Sequence, residues 1–199
     1  LALKDDLLIF LNTFGTIYAI NINSLKVNWF INLNQSLDLS FNNLFTSNPI
    51  LIKDEQIIVA TDLYLYILDL KSGTTILRKP ITSSIKPIST KNGLYLITEN
   101  NLLIYLNKQT KKILFSINID DAIANFLESR KQKSVILKTF YIVNNKIFIF
   151  LENSYLIKLS LNGKILEIKK FSQKLETHPI FINESILYLN KKNNLIILN

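Results

Sequence analysis

The chain has 199 residues, 48% of them hydrophobic, with 12 Phe, 8 Tyr and only 4 Gly and 4 Pro, which is enough apolar material for a sizeable core. Its formal net charge is +8, yet the lysines are scattered singly or in pairs and are densest only at Arg130-Lys131-Gln132-Lys133, so no basic stripe points to a nucleic-acid partner. The absence of Cys excludes a disulfide, a thiolate metal site and a cysteine nucleophile within these residues, and the longest apolar run, Leu63 to Leu68, is far short of the roughly 20 residues of a membrane-spanning helix.

From the first residues onward, short runs of Leu, Ile, Val, Phe and Tyr alternate with Asn, Asp, Ser, Lys and Gly, the pattern of many short antiparallel strands. A unit of strand, tight turn and strand opens at Leu7 to Leu11 and closes with Thr16 to Asn21. It recurs at Gln56 to Ala60 with Leu63 to Asp69, and at Gly93 to Ile97 with Leu102 to Asn107. Two more copies follow, Lys146 to Phe150 with Tyr155 to Ser160, and Ser185 to Leu189 with Asn194 to Asn199. The closing polar residues Asn21, Asp69, Asn107, Ser160 and Asn199 lie roughly 40 residues apart with two longer intervals, the spacing of four-stranded propeller blades.

The longer intervals place insertions at Asn34 to Ser47 and Asp120 to Ser134. In the second, a short helix or a turn is expected over Asp121 to Arg130, with Ile123, Phe126 and Leu127 on one face if helical. A further short strand precedes each later unit, at Pro49 to Ile52, Pro87 to Ser89, Phe140 to Val143 and Pro179 to Ile182, with proline tolerated at a strand's first residue. The expected fold is therefore an all-β propeller of about five blades (1–33, 48–81, 85–118, 135–170 and 178–199) forming one partial domain over 1–199. Strands apolar on both faces, such as Leu63 to Leu68, fit sheets stacked face to face, since one blade cannot bury both its faces alone.

After the second strand of the first unit comes Ala19-Ile20-Asn21-Ile22-Asn23-Ser24-Leu25-Lys26-Val27-Asn28-Trp29. It resembles the tryptophan-docking motif of PQQ-type repeats, which reads Ala, x, Asp, x, x, Thr, Gly, Lys, x, x, Trp. Ala19, Lys26 and Trp29 match, Asn21 and Ser24 are near matches, and Leu25 stands where the family favours a turn glycine. The second copy keeps Asp69 and Gly73 but has Leu77 at the Trp position; the third has Asn107, Thr110 and Phe115; the fourth keeps Gly163. Ala19, Trp29, Asp69, Gly73 and Phe115 are thus the expected blade-docking residues, with the polar pair and Gly forming a turn and the ring wedged between blades.

By its order of features the whole chain resembles the BamB family, propeller lipoproteins of the bacterial outer-membrane β-barrel assembly machinery. That resemblance implies the C-terminal five blades of an eight-bladed ring and a non-catalytic scaffold in the periplasm, peripheral to the outer membrane. It also implies a lipid anchor outside this segment, and as partners a BamA-like barrel-forming subunit and unfolded β-barrel clients reached through exposed sheet edges. Within the Asn34 to Ser47 insertion it points to Asp38, Leu39, Phe41, Asn42 and Phe45 as partner contacts, though the family's acidic side chains are mostly replaced here. The segment opens at Leu1 with no basic stretch followed by an apolar one, so it shows no signal peptide, and with no Met in the chain the translation start is expected to lie outside the segment or to have been removed.

A PQQ-dependent dehydrogenase fragment is the enzyme alternative, and a ligand-binding or sensor propeller is the third. Such dehydrogenases resemble one another in a vicinal Cys pair under the cofactor and a Ca²⁺ held by carboxylate and amide groups. The sequence offers no Cys and no convergent acids, so no catalytic residue, metal site or cofactor is expected. His178, the sole histidine, reads as a loop residue ahead of Pro179, and Asp120-Asp121 as a helix N-terminus.

Overall fold

The structure, a computed structural model, describes residues 1–33, 47, 49–61, 63–83, 85–128, 134–171, 173–183 and 185–198. The strands form five antiparallel sheets in chain order. The first holds β1 (Ala2–Lys4), β2 (Leu7–Leu11), β3 (Thr16–Asn21) and β4 (Lys26–Asn32), and the second β5 (Leu51–Lys53), β6 (Gln56–Ala60), β7 (Leu65–Asp69) and β8 (Thr75–Lys79). The third holds β9 (Ile88–Ser89), β10 (Gly93–Ile97), β11 (Leu102–Asn107) and β12 (Ile113–Asn118). After α1 (Ile119–Phe126) comes the fourth, with β13 (Leu137–Val143), β14 (Lys146–Leu151), β15 (Tyr155–Ser160) and β16 (Ile165–Lys170). The fifth has three described strands, β17 (Ile180–Ile182), β18 (Ser185–Leu189) and β19 (Leu195–Leu198). In every sheet each strand lies beside its neighbour in sequence.

The chain divides into two compact units, Leu1–Glu99 with Asn107–Lys112, and Asn100–Leu106 with Ile113–Asn199. In the first unit the first two sheets meet through Ile9, Ile17, Ala19, Ile57, Val59 and Leu68, with Trp29 and Ile31 packed against that cluster. Side chains alternate across a strand, so the neighbours of these residues fall on the opposite face. There Phe10 stacks on Tyr18 with ring centroids 4.9 Å apart, and Tyr18 on Phe30 at 6.0 Å; Phe30 is exposed. Leu65 to Leu68 are all buried, as are Leu94 to Ile97, so both faces of β7 and β10 are covered, as their apolar composition requires. In the second unit Phe150, Leu156, Phe171, Ile186 and Tyr188 form the corresponding core.

Among the described residues two hairpins turn through paired residues with positive φ, Asp54-Glu55 and Asn144-Asn145. That pairing is the type I′ turn, whose twist matches the strands it joins. Asn suits it; Glu55 is a costlier occupant and is tied to Lys4 by an ion pair of 2.6 Å.

Three local expectations change. The helix starts at Ile119, earlier than Asp121, because the Asn118 side chain accepts from Asp121 N–H and caps it there. Phe126 and Leu127 are exposed while Ile119 is buried, so the expected apolar face is not the one that packs. The prolines at 49, 87 and 179 precede strands that begin at Leu51, Ile88 and Ile180, which places each ring outside the hydrogen-bonded ladder.

Candidate functional site

The sequence-predicted docking residues of the first unit come together. Ala19 is fully buried and lies opposite Trp29 across β3 and β4. The Trp29 indole Nε1 donates to the Leu70 carbonyl at 3.0 Å, and its ring lies on Gly73, where a Cβ would come within 2.5 Å of Cε3. Gly73 has φ +72°, so the turn after β7 needs glycine both for its backbone and for the ring above it.

The turns themselves are built by one acceptor. Asp69 Oδ1 accepts from Lys71 N at 3.0 Å, Ser72 N at 2.8 Å and Ser72 Oγ at 2.8 Å. Asn21 makes the same three contacts with Asn23 and Ser24, and Asn107 with Gln109 and Thr110. An Asn or Asp carbonyl oxygen serves equally here because only an acceptor is required.

The Ser72 N–H and hydroxyl, ahead of Lys71, hold the Asp69 carboxyl below its usual value of 3.8. A carboxyl depressed in the fold stabilises it at neutral pH, and that contribution is lost as pH falls below the ordinary aspartate range through the lower folded value. Asp69→Asn keeps the acceptor and removes the titration. Its urea midpoint is therefore expected to fall less than that of the native chain between about pH 6 and about pH 3.

At the position of Gly73 the first turn carries Leu25, with φ +54° and 80% exposure. A left-handed leucine costs about 1–2 kcal/mol, and glycine gives part of that back in chain entropy. Leu25→Gly is expected to raise stability by about 1 kcal/mol in equilibrium unfolding; no gain would mean that the turn carries no strain.

In the second unit Phe115 lies opposite Tyr105 with ring centroids 5.7 Å apart. Phe115 and Ile117 cover Gly163, where an added Cβ would sit 3.5 Å from Phe115 and run into the Ile117 side chain. The docking device thus recurs, with Ile117 sharing the role that sequence reading gave to Phe115 alone. Asp120 is a latch: its carboxylate accepts from Asn101 Nδ2 at 3.1 Å and Val135 N at 3.0 Å. His178 Nδ1 lies 3.1 Å from the Tyr141 hydroxyl. Among the described residues no three His, Asp or Glu side chains gather as metal ligands.

Asp38, Leu39, Phe41, Asn42 and Phe45 lie outside the described residues. One feature that sequence reading passed over is a hollow of about 480 Å³ in the first unit, lined by Lys53, Asp54, Gln56, Lys91 and Lys108. Lys108 is held there by Asp54 at 3.2 Å; Lys53 ends β5 while Lys91 and Lys108 lie in two turns of the third sheet, so their meeting is invisible in the linear chain.

No protein-family model and no curated protein matches the sequence. Solved structures do. Across 98% of this chain and 70% of the other, it is similar to BamB from Moraxella catarrhalis, at 12% identity and a TM-score of 0.56. It is similar to the computationally designed Ika8 protein over 98% of this chain and 56% of that one, at 12% identity and TM-score 0.68. It also resembles the quinohemoprotein alcohol dehydrogenase of Comamonas testosteroni, over 98% of this chain but 40% of that one, at 10% identity and TM-score 0.68. With four four-stranded antiparallel sheets among the described residues and these structural neighbours, the chain has the fold of a β-propeller built on PQQ-like blades.

Proposed function

We propose that the chain is a non-catalytic scaffold of the bacterial outer-membrane β-barrel assembly machinery, acting in the periplasm by docking onto the barrel-forming subunit. The observation that carries this reading is the likeness to BamB, which takes in nearly all of this chain and 70% of that one. The surface supports it as well. Outer strands present large apolar side chains to solvent, among them Val27 and Phe30 on β4 and Ile113 and Leu114 on β12. Among them Phe30 is of the aromatic type enriched in protein interfaces.

The test is retention of the purified barrel-forming subunit's soluble domains by the immobilised chain. Retention by the native chain, lost in Phe41→Asp/Phe45→Asp, is the expected result; no retention by the native chain overturns the scaffold reading. The higher TM-score to the quinohemoprotein dehydrogenase favours a second reading, a dehydrogenase fragment. Alcohol-dependent dye reduction after addition of PQQ and Ca²⁺ would select it.

A further inference from the structure

The first four sheets share one register device in their last two strands. Ala19 faces Trp29, Ile67 faces Leu77 and Tyr105 faces Phe115, each just before a register shift. In the fourth sheet that place holds Lys158 opposite Glu167. Where the first sheet carries a ring that packs onto Gly73, the fourth carries a half-exposed carboxylate 3.6 Å from the Lys158 ammonium.

A cleft of about 700 Å³ opens beside this pair, within the roughly 300–1,000 Å³ of small-molecule sites. Phe148, Phe181, Ile186 and Leu198 give it an apolar floor, and the Phe148 and Phe181 ring centroids are 5.1 Å apart. Lys146, Lys158 and Lys169 stand against the single carboxylate of Glu167 among its charged lining residues. Lys158 Nζ lies 5.9 Å from the Phe148 ring centroid, so a head group held by that ammonium leaves the rest of the ligand over the aromatic floor. An apolar floor selects against a wholly polar ligand, and the excess of ammonium groups selects against a cationic one.

We propose that this cleft binds a small amphipathic anion, its apolar body on Phe148 and Phe181 and its acidic head on Lys158 and Lys146. The site stands apart from the scaffold reading and neither depends on the other.

Titration calorimetry with submicellar dodecanoate tests it, with dodecyltrimethylammonium as the counterpart of opposite charge. Saturable binding of dodecanoate about tenfold tighter than the cation is expected, the worth of one charge-assisted contact. Lys158→Glu leaves two ammonium groups against two carboxylates and should abolish that preference. Glu167→Trp, which installs the ring of the first sheet, should weaken dodecanoate about tenfold by filling the cleft. If that variant does not fold by circular dichroism, Lys146→Glu is the second, with a similar loss expected. Equal binding of the two amphiphiles, or unchanged affinity in Lys158→Glu, overturns the proposal. Preferential uptake of an uncharged extended peptide, with amide exchange slowed in β19 alone, also overturns it, because the cleft would then belong to an added fourth strand.

Discussion

Replacing Gly73 with alanine is expected to lower stability by about 3 kcal/mol, combining left-handed strain with overpacking. The new methyl would sit 2.5 Å from Trp29 Cε3 and 2.7 Å from Cδ2. These atoms belong to a rigid ring fixed at its far end by the bond to the Leu70 carbonyl, so the ring cannot swing aside cheaply. Guanidinium unfolding measures the loss, and in this single variant the fluorescence of Trp29, the only tryptophan, follows it. In a Trp29→Ala background the obstacle is gone, and the cost of Gly73→Ala should shrink to the backbone strain alone, about 1 kcal/mol. Equal costs in the two backgrounds, read by circular dichroism, would show that the ring does not rest on the turn.

The second large effect lies in the other unit. Phe150 is 1% exposed, with the rings of Tyr141 and Phe171 each 6.0 Å away and that of Phe181 at 6.2 Å. Truncation to alanine removes a full ring from among neighbours that are themselves rigid, so the hole collapses poorly. Phe150→Ala is expected to cost about 3–5 kcal/mol and to lower the melting temperature by about 10 °C. Phe150→Leu, which refills part of the volume, should cost clearly less. Matching melting temperatures for native chain and Phe150→Ala would mean that this cluster is not the core of its unit.

Much of the fold is legible in the chain because its signals are local. Each strand–turn–strand unit carries its own turn chemistry, and Asn21, Asp69 and Asn107 announce the turns by residue type. Ala19 and Trp29 could be paired in advance because one short motif holds both. Glu167 could not be understood that way. It occupies the Trp position only once the strands are aligned, and the fourth copy has a shorter turn, with Gly163 three residues after Ser160 where Gly73 is four after Asp69. The helix start was missed for a similar reason: Asn118 ends β12 and caps α1 at once, and periodicity registers only the second half of such a junction. The lysine hollow was out of reach because proximity between turns of different sheets leaves no trace in spacing.

The pairing of every strand with its sequence neighbour has a kinetic meaning. Nearly all ladder contacts close over short chain separations, so the entropy of loop closure is small and the contact order is low for an all-β protein. The hairpins of a sheet can therefore pair once its own roughly 30 residues have left the ribosome, while the burial of its faces waits for the next sheet. Lengthening the connections between sheets, as at 34–46, should leave refolding rates almost unchanged, whereas lengthening the two-residue hairpin at Asn144-Asn145 should slow them.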